Sequence, residues 1–141
     1  MTDSTDSLFL IERAAPKTLP ISAPFWEGTR EKKLMLQYCL DSGQYQFYPR
    51  PVSIFTGSRN LEWREVSGEG EVFTYTIARI GRGPLEGVTP FIVATIRLDE
   101  GVTIMSNVID CDLDRIAIGL RVEPVWAPLP DGTHLLLFRP K

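Results

Sequence analysis

The chain has 141 residues and is poor in the side chains that carry most enzyme chemistry: one histidine, His134, and two cysteines, Cys39 and Cys111. Two isolated cysteines make no disulfide framework, and a single imidazole makes no His-based metal motif. There is no Gly-x-Ser-x-Gly elbow and no glycine-rich phosphate loop. Also missing are an apolar run of about 18 residues and a basic-then-apolar N-terminus. Positive charge is not in excess either. Fifteen Lys and Arg against eighteen Asp and Glu give a net charge of −3, so no global field draws in nucleic acid or anionic lipid. These absences predict a cytoplasmic protein with no membrane partner and no catalysis of its own.

What is present suits one ordinary core, with 43% hydrophobic and 23% charged residues. Residues 1–21 are Ser/Thr/Asp-rich at the start and read as a flexible segment, unless the cluster Leu8-Phe9-Leu10-Ile11 docks. Residues 20–24 read as extended, and residues 24–33 as a short helix: Ser22 or Ala23 sits at the cap, Pro24 in the first turn, and cations gather at the end. Phe25 and Trp26 are its anchors, toward either the core or a partner. Residues 34–38 and 44–48 read as short strands. Residues 61–66 alternate, and residues 71–80, 91–98 and 102–109 are rich in Val, Ile, Thr, Phe and Tyr. Asp99-Glu100-Gly101 is a tight turn between two of these runs. Residues 112–119 read as one helical turn with an Asp cap and closing Gly119. Two more strands, 121–128 and 134–139, follow.

Between Cys39 and Gly57 the chain has the layout of a zinc ribbon, with two knuckles each closed by a glycine: Cys39-Leu40-Asp41-Ser42-Gly43 and Ser53-Ile54-Phe55-Thr56-Gly57. A working ribbon would place cysteine at all four ligand positions. Here Ser42, Ser53 and Thr56 stand beside the lone Cys39, and neutral hydroxyls are poor zinc ligands. The expected lobe, residues 22–66, is therefore a helix plus a metal-free, degenerate ribbon. Residues 67–141 run strand, strand, strand, helical turn, strand, strand, which is the order of a five-stranded OB-type barrel. The fold class is mainly β.

Six short motifs in this order carry a further likeness: Pro24-Phe25-Trp26-Glu27-Gly28, Leu34-x-Leu36-Gln37-x-Cys39, Tyr48-Pro49-Arg50-Pro51, Gly57-Ser58-x-x-Leu61-Glu62-Trp63, residues 67–72, and Phe138-Arg139-Pro140. Over residues 22–141 the chain resembles the thiolase-associated rubredoxin-like zinc-ribbon/OB-fold family, long catalogued as a domain of unknown function. The resemblance implies a non-catalytic subunit that bridges thiolase-fold or ketoacyl-synthase-like partners and lines an acyl or CoA channel. Such assemblies include acetoacetyl-CoA thiolase complexes, steroid side-chain aldolases and Friedel–Crafts C-acyltransferases of the phloroglucinol type. The missing cysteines depart from the family pattern, and zinc is expected to be lost. A lobe this small is then marginal by itself, and a partner surface is expected to stabilise it.

The remaining candidates are weaker. Arg79 and Arg82 flank glycines in a loop suited to a phosphate or a partner carboxylate. His134 reads as a surface residue after a turn, Cys39 as a fossil ligand, and Cys111 as a buried thiol. Residues 110–114 suggest calcium, but Arg115 and Arg121 occupy the positions where the EF-hand loop needs Gly and Glu. The alternative reading is a single-stranded nucleic-acid-binding OB module that stacks bases on Phe73, Tyr75 or Phe91.

Overall fold

The structure, a computed structural model, describes residues 4–141. Two short helices, α1 (Ser7–Leu10) and α2 (Ala23–Arg30), precede eight strands: β1 (Leu34–Cys39), β2 (Gln44–Gln46), β3 (Leu61–Val66), β4 (Gly70–Ala78), β5 (Phe91–Leu98), β6 (Thr103–Val108), β7 (Arg121–Pro128) and β8 (His134–Pro140). The first three strands form a small antiparallel sheet in the order β2-β1-β3, with β1 and β3 paired from Leu34↔Val66 to Cys39↔Leu61. The other five close a barrel in the order β4-β5-β6-β8-β7, with β6 and β8 parallel. That topology is the OB fold expected from the strand order.

Alternation builds the barrel. Ile92, Ala94, Ile96 and Leu98 of β5 are all buried and face Val72, Ile104, Val108, Val122, Leu136 and Phe138 in one cluster. Gly70 is required where β4 starts, because a Cβ there would lie 2.3 Å from the carbonyl oxygen of Arg97.

Three expectations are corrected. Residues 112–119 form two turns and no helix. Ile116 is drawn into the barrel core, Gly119 takes φ +91°, and its N–H bonds the carbonyl of Val72 at 2.8 Å. Fixing its C-terminal end on β4 and Ile116 in the core keeps this short stretch from winding up. Residues 20–22 form a 3₁₀ turn where extended chain was expected, and it leads directly into α2. The N-terminal segment also docks, as far as it is described. Leu8 and Phe9 are buried against Ile109, Val125, Ala127 and Leu137 on the outer face of β7 and β8. Asp6 caps α1 and accepts the N–H of Asp110, and the Arg13 guanidinium donates to the carbonyls of Leu8, Phe9 and Ile11. The part of the flexible-segment reading that covers residues 1–3 lies outside the described residues.

The lobe does not stand alone. Leu34, Leu36 and Val66 belong to the barrel's own core cluster, with Phe25, Tyr45 and Phe47 packed against it. Stabilisation assigned to a partner is thus supplied in part by the barrel. Phe55 of the second knuckle is 41% exposed.

Candidate functional site

The two knuckles keep their shape. Gly43 N–H returns to the carbonyl of Cys39 at 2.8 Å, and Gly57 N–H to that of Ser53 at 2.9 Å. Both glycines take positive φ, +72° and +75°. The N–H groups of Phe55 and Thr56 donate to Ser53 Oγ, where a ribbon would have a thiolate. Cys39 is completely buried, with its Sγ 4.0 Å from Thr56 Oγ1. Ser42 first and then Ser53 pull its thiol down to about 7, against the opposing effect of burial. Ser42 Oγ polarises the thiol without reaching full hydrogen-bond geometry, and it is shielded from solvent with no other partner. One thiol and three hydroxyls do not fit zinc, and no group of three His, Cys, Asp or Glu is gathered for a metal among the described residues.

Two buried glutamines hold the lobe: Gln46, and Gln37, which the sequence offered only as a motif position. Gln37 Nε2 donates to the carbonyl of Arg50 at 2.9 Å, and Gln37 Oε1 accepts Arg50 N–H and Gln46 Nε2. Gln46 Nε2 also donates to the carbonyl of Val52, and Gln46 Oε1 accepts Ile54 N–H at 2.8 Å. This amide clamp satisfies backbone groups of the 50–54 loop in a site closed to water. The available signal was two glutamines placed at positions of β1 and β2 that face inward.

The clamped loop positions an aromatic cleft. Phe25 meets Trp26 edge-on at 5.1 Å and Phe47 at 5.9 Å, and Phe47 lies 4.3 Å from Tyr48. These four rings face Ile104 and Met105 of β6 and Leu135 and Leu136 of β8 across a cavity of about 260 Å³. Tyr48, 60% exposed, and Met105, 66% exposed, stand at its mouth, and no charged side chain lines it. α2 is fixed in place by His134, whose N–H donates to Thr29 Oγ1 and whose Nδ1 donates to the carbonyl of Thr29 at 2.7 Å. The lone histidine is therefore a structural tie between lobe and barrel.

The other candidates are scattered. Arg79 and Arg82 are exposed and lie outside the cleft that holds Phe25 and Trp26. Arg82 precedes a 3₁₀ turn, Gly83–Val88, that the sequence did not announce. Phe73, 45% exposed, lies beneath the Arg97 guanidinium at 4.2 Å, Tyr75 is 38% exposed, and Phe91 packs beside the N-terminal segment. Burial raises the Cys111 thiol above its ordinary range. Asp110 is used by the N-terminal segment, accepting from Ser4 Oγ.

A closed OB barrel with a three-stranded lobe and an uncharged aromatic cleft at their junction defines the class of fold. Within that class the chain belongs to the DUF35 family. It is 33% identical over 101 residues to a DUF35 domain-containing scaffold protein of Pyrococcus furiosus, a match covering 72% of this chain and 74% of that one. Residues 63–127 match the family model described as the ChsH2 C-terminal OB-fold domain. A 3-oxo-4,17-pregnadiene-20-carboxyl-CoA hydratase alpha subunit of Mycobacterium tuberculosis is 29% identical over 116 residues, covering 82% of this chain but 37% of the longer subunit. Among solved structures, the Ltp2-ChsH2(DUF35) aldolase matches with a TM-score of 0.79 at 27% identity, covering 89% of this chain and 98% of that one. No helix among the described residues is long and apolar enough to cross a membrane.

Proposed function

We propose that this protein is a non-catalytic accessory subunit of a multi-subunit, thiolase-like acyltransferase complex. It bridges thiolase-fold or ketoacyl-synthase-like subunits through the lobe–barrel junction and lines a passage for an acyl or CoA group. The observation that carries this reading is the aromatic cleft. Exposed Tyr48 and Met105 open onto Phe25, Trp26 and Phe47, and no charge interrupts the surface. An exposed aromatic cleft without charge suits an apolar anchor of a partner. The relatives support it, since one is named a scaffold protein and another belongs to the Ltp2-ChsH2(DUF35) aldolase. Arg79 and Arg82 supply separate cationic contacts for a CoA phosphate or a partner carboxylate.

The test is capture of the tagged chain from its native lysate, wild type beside Trp26→Ala and Tyr48→Ala, with mass spectrometry of what is retained. Thiolase-fold subunits in fixed ratio, lost with either variant, are the expected result. Their absence from the wild-type sample overturns the reading. Salt-sensitive recovery of nucleic acid would instead favour base stacking on Phe73 and Tyr75. Arg82→Ala is expected to slow acyl transfer by the assembled complex while leaving the complex intact.

A further inference from the structure

We propose that the free edge of β4 pairs with the same edge of a second copy of this chain, antiparallel and centred on Tyr75. β4 contacts β7 only at Gly70 and Glu71, and the last bonds on that side join Val72 to Leu120 and Gly119. A bulge between Val72 and Thr74 follows, and beyond it the strand pairs with β5 alone, through Ala78. Among the described residues no hydrogen bond reaches residues 73–78 from the other side. Residues 73–76 are exposed on both faces, Phe73 by 45% and Tyr75 by 38%. An uncharged, β-favouring edge left open in this way is what stable monomers avoid.

The occupant follows from the order of the side chains. Phe73-Thr74-Tyr75-Thr76-Ile77 reads alike in both directions by chemical class. A two-fold axis at Tyr75 sets Tyr75 opposite its own copy and Thr74 opposite Thr76, favourable cross-strand pairs; Phe73, in the bulge beneath Arg97, and Ile77, packed against the barrel core, lie outside that match. Charge agrees with this register. Glu71 precedes the segment and Arg79 follows it; β7 already pairs with Glu71, so Arg79 of one copy approaches that end of the other outside the paired stretch. Neither side chain forms an ion pair in its own chain among the described residues. An isologous contact of this kind closes at two copies and does not propagate.

Sedimentation velocity of the purified full chain over a concentration series tests the pairing, with circular dichroism to establish that each variant is folded. A reversible dimer is expected. Tyr75→Lys, which sets two like charges at the axis, should weaken it at least about tenfold. Arg79→Glu should weaken it less, and added salt should recover part of that loss. A wild-type chain that stays monomeric throughout overturns the proposal, as does a dimer indifferent to Tyr75→Lys. Hydrogen-exchange protection of residues 73–77 appearing only with a thiolase-fold partner, in a chain monomeric by itself, also overturns it and assigns the edge to that partner.

Discussion

The barrel and the ribbon lobe solve the same problem by different chemistry. The barrel buries Val72, Ile96, Val122 and Phe138 completely and holds its strands by a closed ladder. The lobe buries few apolar residues, Leu34, Leu36, Cys39 and Val66. It places Leu34, Leu36 and Val66 into the barrel's core and closes its own loop with the amides of Gln37 and Gln46. In a zinc ribbon the metal would perform that second task. The comparison teaches that a small two-knuckle lobe can be held by side-chain acceptors for its knuckle N–H groups and by a neighbouring core that carries the hydrophobic load.

The strongest test of this contrast is to supply a metal site. Cys39 Sγ and Thr56 Oγ1 lie 4.0 Å apart, close to the ~3.8 Å between sulfurs on a tetrahedral zinc with 2.3 Å bonds. The combined variant Ser42→Cys, Ser53→Cys, Thr56→Cys should bind one zinc per chain, measured by metal analysis and by a cobalt spectrum. Structural zinc contributes an apparent 10–16 kcal/mol in small fingers, roughly the ceiling for the gain here. A folded variant that binds no metal would show that the knuckles have drifted from ribbon geometry.

Next in size is the barrel. Phe138→Ala empties a fully buried site and should cost about 3–5 kcal/mol in denaturant unfolding, and lobe and barrel should melt together because their core is shared. Gln46→Ala comes third. It leaves Ile54 N–H without its acceptor at a cost of about 1–3 kcal/mol. Exchange should accelerate at residues 50–56 while the barrel stays protected, and equal acceleration in both regions would contradict the division of labour.

The smallest effect is on pH dependence. The Cys39 thiol, held down to about 7 in the fold against an ordinary 9.0, releases its proton more readily than in the unfolded chain. Between those values the unfolded chain binds more protons, so stability rises with pH. The contribution is complete above about 9 and lost below about 7. Thiolate absorbance should titrate near 7, and Cys39→Ser should flatten this part of the stability profile.

Much of this was legible in the residues. β-branched and aromatic runs bounded by turns such as Asp99-Glu100-Gly101 gave five barrel strands in OB order, because period-two burial and turn chemistry are local properties. The ribbon was visible through its glycines, whose positive φ any knuckle needs. What was misread depends on distant contacts. Residues 112–119 have helix-like ends but are fixed to β4, and Leu8 and Phe9 look like a loose apolar pair until β7 and β8 offer an outer face to cover. Gln37 and Gln46 are ordinary strand residues until the 50–54 loop folds over them.

The sequence by itself determined the barrel strands and their order, since these follow from side-chain type and spacing along a few residues. Only the tertiary structure decided that the lobe shares the barrel's core, that glutamine amides close its loop, and that Phe25, Trp26, Phe47 and Tyr48 converge with Met105 on one cleft. Those outcomes join segments far apart in the chain, and their energies exist only once burial has removed water from between them.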